Sequence, residues 1–196
     1  MKTTDAIILA AILAPIFAPP DAFADSPSPL VASDFKNDAD VDFDPWRIFE
    51  DVDEMTDEVT YILNLKGKPV KVLDFLQDSP CLVLQIKPTP KGKYLVEVLI
   101  RTCSENFSRS GAPVAVRFDK GEPTAEIWSA SQDRDAAFAP KPYVILSKLR
   151  TSKTMTVRYV TSLDKVRTTS FELSSVEAAL DEVKRRAKLR RAPAKH

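Results

Sequence analysis

Through one stretch of this chain after another, every second residue is apolar, and each stretch stops at a turn signal. Val59, Tyr61, Leu63 and Leu65 alternate with Thr60, Ile62 and Asn64. Leu82, Leu84 and Ile86 share one face of a second stretch, and Tyr94, Val96, Val98 and Ile100 supply a matching face on a third. Val114, Val116 and Phe118, and later Met155, Val157 and Tyr159, repeat the pattern. A period of two places alternate side chains on opposite faces of extended backbone, so these segments read as half-buried strands. On the strand after Val114–Phe118, Ala125 and Ile127 fall on one face and Glu126 and Trp128 on the other. Lys66-Gly-Lys-Pro69, Pro88-Thr-Pro-Lys-Gly92, Asp119-Lys-Gly-Glu122 and Thr161-Ser-Leu-Asp-Lys165 separate the strands with residues that favour chain reversal.

Two stretches break that period. Pro142 suits the first turn of a helix, and Tyr143, Ile145, Leu146 and Leu149 follow at helical spacing, predicting a short helix over about 140–150. Ser174-Ser-Val-Glu177 reads as a capping box. It opens a helix over about 174–190 with Val176, Leu180, Val183 and Ala187 on one face. Its acids sit early and its bases late, as the helix dipole favours. The expected fold is mainly β within the α+β class: antiparallel hairpins forming a sandwich or curled sheet, covered by these two helices.

At 196 residues the chain can bury one sizeable core. The domain is expected over residues 45–190, with a basic tail at 191–196. The apolar run from Ala6 to Ala18 spans about a dozen residues, short of the roughly 20 that cross a bilayer. With Ala22-Phe-Ala24 after it, residues 1–24 read as a signal peptide cut before Asp25. Residues 25–44, rich in Pro, Ser and Asp, read as a flexible acidic linker, and Trp46 and Phe49 as the start of the core. The expected destination is the periplasm or the medium, with no membrane-spanning segment left after cleavage.

Export bears on the two cysteines, Cys81 and Cys103. Oxidising compartments favour a disulfide, which would stabilise by about 3 kcal/mol. Both side chains share the face of one hairpin opposite to Leu82, Leu84 and Ile86, and a tight turn would set Cys81 against Leu99 or Arg101. Cys103 then lies a diagonal step away, about 7–8 Å, slightly beyond disulfide geometry without a bulge. A Cys81–Cys103 disulfide, with a bulge or sheared strand end closing the gap, is the expected state, and two buried free thiols are the alternative.

Catalytic constellations are hard to draw. His196 is the only histidine and the last residue, which argues against a Ser-His or Cys-His centre and against zinc. Four glycines outline no phosphate loop. Asp133 with Asp135, or Glu122 with Glu126, could be offered as a glycosidase pair, yet such spacing on loops usually means solvated carboxylates. No enzyme, metal or cofactor is therefore expected. Lys184, Arg185, Arg186, Lys188, Arg190 and Arg191 form the candidate binding cluster. The neutral total charge and the lack of interleaved aromatics argue against nucleic acid, leaving a protein partner, a solvated helix end, or pairing with the acidic segment. Asn106-Phe-Ser108 fits a glycosylation sequon.

The second half of the chain, with VAVRFDKGEP, IWSASQDRDAAFAP, MTVRYVT and FELSSVEAALDEV, resembles the VasI/TagO type VI secretion-associated proteins of Gram-negative envelopes. The similarity covers roughly residues 80–183. Thr161-Ser-Leu-Asp stands where that family has a TPY-Gly turn, and the last helix runs into Arg and Lys. The resemblance implies a non-enzymatic envelope accessory protein and offers no catalytic residues. A secreted inhibitor of a lysozyme or protease, with Ser129–Ala137 as the inserting loop, and a small-ligand-binding β domain are the alternatives.

Overall fold

The computed structural model describes residues 41–73 and 76–191. The signal segment, Ala22-Phe-Ala24, the linker to residue 40 and the tail from residue 192 lie outside them. Ten strands form one antiparallel sheet. In chain order these are β1 (Val41–Phe43), β2 (Trp46–Val52), β3 (Val59–Lys66), β6 (Cys81–Pro88), β7 (Tyr94–Arg101), β8 (Ala112–Phe118), β9 (Thr124–Ala130), β10 (Ala136–Phe138), β11 (Thr154–Val160) and β12 (Val166–Glu172). Across the sheet they run β1-β2-β3-β6-β7-β10-β9-β8-β11-β12. A separate hairpin, β4 (Val70–Leu73) and β5 (Leu76–Asp78), projects between β3 and β6. Helices α1 (Pro142–Leu149) and α2 (Val176–Arg191) complete the fold, so the mainly β reading holds.

The alternation places the core. In the β6–β7 hairpin Leu82 faces Ile100, Leu84 faces Val98 and Ile86 faces Val96, and all are buried. Tyr61, Leu63 and Leu65 of β3 join them, as do Met155, Val157 and Tyr159 of β11. Trp46 and Trp128 are also buried in this cluster, so Trp46 begins the core as expected. The helices add Ile145, Leu149, Val176, Ala179, Leu180, Val183 and Ala187 to the same cluster. One continuous core drawn from both ends of the strand order requires the sheet to curl over itself.

Two places make the curl. The first is the short β10, which pairs with β7 on one side and β9 on the other. Ala136 and Ala137 are fully buried there, so only small side chains fit. Ser131 Oγ donates to Asp135 Oδ1 at 3.0 Å and accepts the Ala136 amide at 3.1 Å. The Arg101 guanidinium holds the other Asp135 oxygen at 2.9 Å. The second place is Gly67, just after β3. Its amide donates to the Pro80 carbonyl at 2.7 Å, and the Lys68 amide donates to Ser170 of β12 at 2.9 Å. Thr169 Oγ1 returns a bond to the Lys68 carbonyl. The last strand of the sheet thus meets the segment leaving β3, and a Cβ on Gly67 would lie 2.7–2.8 Å from Thr169, Phe171 and Pro80.

Three readings need correction. Val41–Phe43 pairs with Trp46–Ile48, so the sheet begins inside the segment read as linker to residue 44. The helix starts at Val176, so Ser175 rather than Ser174 precedes it, and Ser175 sits at φ 62, in the left-handed region and not the extended backbone of a capping box. Glu177 does not reach back along its helix but binds Arg150 at 2.6 Å, tying α2 to the end of α1. Finally, Cys81 and Cys103 are free thiols, not a disulfide. Cys81 faces Arg101, which leaves Cys103 on the diagonal. Past Arg101 the strand is then pulled away: the Thr102 amide donates to Asp135, and the Cys103 amide to the buried Asp78 carboxylate at 3.1 Å.

Candidate interaction surface

Once Trp128 has turned into the core, Ala125 and Ile127 must face solvent. Pairing then assembles them with the outward residues of the neighbouring strands. Ile127 lies opposite Pro113, and Ala125 opposite Ala115, which in turn faces Arg158. Val160 pairs with Val166, and Arg158 with Thr168. The result is an apolar floor on the outside of β8, β9, β11 and β12. Small side chains at Ala115, Ala125 and Pro113 leave a shallow trough of about 320 Å³, walled by Ile127, Val160 and Arg158. Ile127 is 61% exposed and Val166 59%.

Among the described residues, two cations on this face are left without a carboxylate, whereas its acids Glu126 and Glu172 have Lys141 and Lys68 beside them. Arg117, opposite Thr156, and Arg158 are exposed, and neither forms an ion pair or side-chain hydrogen bond among the described residues. Glu126, which also lines the trough, is already bound by Lys141.

Four of the six basic residues offered as a binding cluster bind carboxylates of this chain. Arg186 is buried and reaches Glu182 at 2.9 Å and Glu50 of β2 at 3.0 Å. Arg190 binds the other Glu50 oxygen at 2.9 Å. Arg185 grips Glu182 and Lys184 grips Asp181. Hydrogen bonds from Arg185, with Arg186 assisting, pull the Glu182 carboxyl down to about 2 against the opposing effect of burial. Lys188 is exposed; the Arg191 side chain lies outside what is described. Arg186 and Arg190 therefore fasten α2 to β2, while Arg185 and Lys184 pair within the helix itself.

The other candidates also serve the fold. Asp135 belongs to the β10 joint and Glu126 to its lysine pair, while Asp133 and Glu122 are exposed. The Ser129–Ala137 loop spends Ser131, Arg134 and Asp135 on internal bonds: the Arg134 carbonyl accepts the Phe107 amide at 2.7 Å. Asn106 is exposed, and its carbonyl accepts the Ser162 amide. Asp119, in the left-handed region at φ 49, accepts the Lys153 and Thr154 amides at 2.9 Å. These bonds, Thr154's first, lower its carboxyl pKa. The residues carrying the family resemblance thus build the β8–β10 region, β11, β12 and the start of α2. Sequence reasoning missed the trough, although the apolar Ala125 and Ile127 on the face opposite Trp128 were its signal.

The chain matches no family model, no curated protein and no solved structure. No helix among the described residues is long and apolar enough to cross a membrane.

Proposed function

We propose that this protein acts by binding another protein, as an exported accessory component of the bacterial envelope, without chemistry of its own. The observation that carries the reading is the apolar floor on the solvent side of β8, β9, β11 and β12, which this chain's described residues leave uncovered. A contiguous exposed apolar patch with a polar rim is a common mark of a protein interface. Its trough is open and shallow, and large side chains fill the interior behind it, including Trp128, Tyr159 and Phe171. That distribution suits a docking face better than an enclosed ligand site. Export follows the leader-like start of the chain, and the link to type VI secretion follows the motif resemblance.

The test is a photo-crosslinking residue at Ile127 in living cells, with a second at Met55, 93% exposed on the β2–β3 turn, as control. An envelope protein joined through position 127 and not through 55 is the expected result. Equal labelling at both positions, or none at 127, would sink the reading. Fractionation of the same cells checks export, which requires the shortened chain in the periplasm or medium.

A further inference from the structure

We infer that the partner meets this face with an acidic, aliphatic segment, one aliphatic side chain lying in the trough beside a carboxylate held by Arg158. The inference rests on the binding reading above and specifies the partner's chemistry. Its first ground is steric. Ala115 and Ala125 face each other and Pro113 and Ile127 follow, so the floor is low where the small residues meet and higher along Ile127 and Val160. A side chain of leucine size fits such a recess, and burying it removes apolar surface from water on both sides. The second ground is electrostatic. Arg158 stands in the wall of the recess, and Arg117 stands one step diagonally away, across the Arg158–Ala115 and Thr156–Arg117 pairs. A guanidinium presents a planar fork suited to a carboxylate. The fold gives neither arginine a carboxylate among the described residues, in contrast to Arg101, Arg150, Arg167, Arg185, Arg186 and Arg190. Glu126, the acid nearest the recess, is neutralised by Lys141. A cationic partner would gain little here, whereas an anionic one would answer both free charges.

The experiment selects a displayed random peptide library against the full chain and measures the recovered peptides on wild type and variants. Peptides carrying Asp or Glu next to an aliphatic residue are expected. Their affinity should fall about tenfold in Arg158→Glu, fall with added salt, and fall in Ala115→Trp, which fills the recess. Arg185→Glu, on α2, should leave it unchanged. Exchanging the acid of a selected peptide for lysine should restore binding to Arg158→Glu. Thermal melts confirm that each variant folds. A pool without acids, or one that binds Arg158→Glu as well as wild type, overturns the inference. If the Ile127 crosslink then persists in Arg158→Glu, protein binding stands and only the acidic chemistry falls; if no crosslink forms in the wild type, the binding reading falls itself. A crosslink joining two copies of this chain, or peptide binding that appears only when residues 25–40 are removed, would also overturn it.

Discussion

At the scale of single residues, the closure depends on an absent side chain. Gly67 lets the segment after β3 approach Phe171 and Thr169, and an added methyl would meet side-chain and backbone atoms at 2.7–2.8 Å. Gly67→Ala should therefore destabilise by about 1–3 kcal/mol, the usual cost of overpacking. That corresponds to a fall of roughly 2–12 °C in Tm. An unchanged melt would mean the closure gives way freely. The thiols make a second residue-scale prediction. Burial, more than any neighbouring charge, raises the pKa of both Cys81 and Cys103, so less of the reactive thiolate forms at neutral pH. A thiol reagent should find two free groups on the folded protein, both slower than free cysteine, with exposed Cys103 reacting before half-buried Cys81. Finding no titratable thiol would show that the diagonal gap closes in solution.

At the scale of elements, α2 is held less by its own propensity than by what it touches. Glu50 and Glu182 bracket the buried Arg186. Removing one of them leaves that guanidinium half-satisfied in a dry site, so Glu50→Ala should cost about 2 kcal/mol. Denaturant unfolding would measure it, and a loss near zero would mark the network as ornamental. The same network predicts acid sensitivity. Glu182 moves from an ordinary value of 4.5 to about 2 on folding, so the unfolded chain binds its proton more readily. Its contribution to stability is then complete above about pH 4.5 and is lost as the pH falls toward 2. Glu182→Gln should flatten the pH dependence of stability within that window and lower stability at pH 7. The same sign holds for Asp119, whose backbone bonds tie the β8–β9 turn to β11 and depress its pKa.

At the scale of the whole molecule, α2 is part of the domain and not an appendage. Val176, Ala179, Leu180, Val183 and Ala187 share the core with strands from both halves of the sheet. Deleting residues 176–196 should abolish cooperative thermal unfolding, followed by circular dichroism. A truncated chain that still melts sharply would show that the curled sheet closes without its helix. The same reasoning makes truncation from residue 184 a poor test of a basic contact, since it removes buried Arg186 and Ala187 together with the exposed bases.

What the sequence determined by itself is the long alternating strands, their inward faces and both helices, but not β1, read as linker, nor β10, which falls at the end of the Ser129–Ala137 loop. Period and turn chemistry are local, so Leu82 to Ile86 and Tyr94 to Ile100 declare their core faces without knowledge of anything distant. The Pro at the start of α1 is equally local. The tertiary structure alone decided which strands neighbour one another across β10, that β12 closes against Gly67, and that Glu50 receives Arg186 and Arg190 across 136 and 140 residues. The apolar face proposed for docking belongs to this second group. Its lining residues come from separate strands, and Ala125 and Ile127 look as apolar as any core pair until Trp128 takes the inside. A basic run likewise looks free until its acids are found. Local patterns fix which side chains can face inward, whereas partners far apart in sequence are chosen only when the sheet curls and one core must satisfy every apolar face at once.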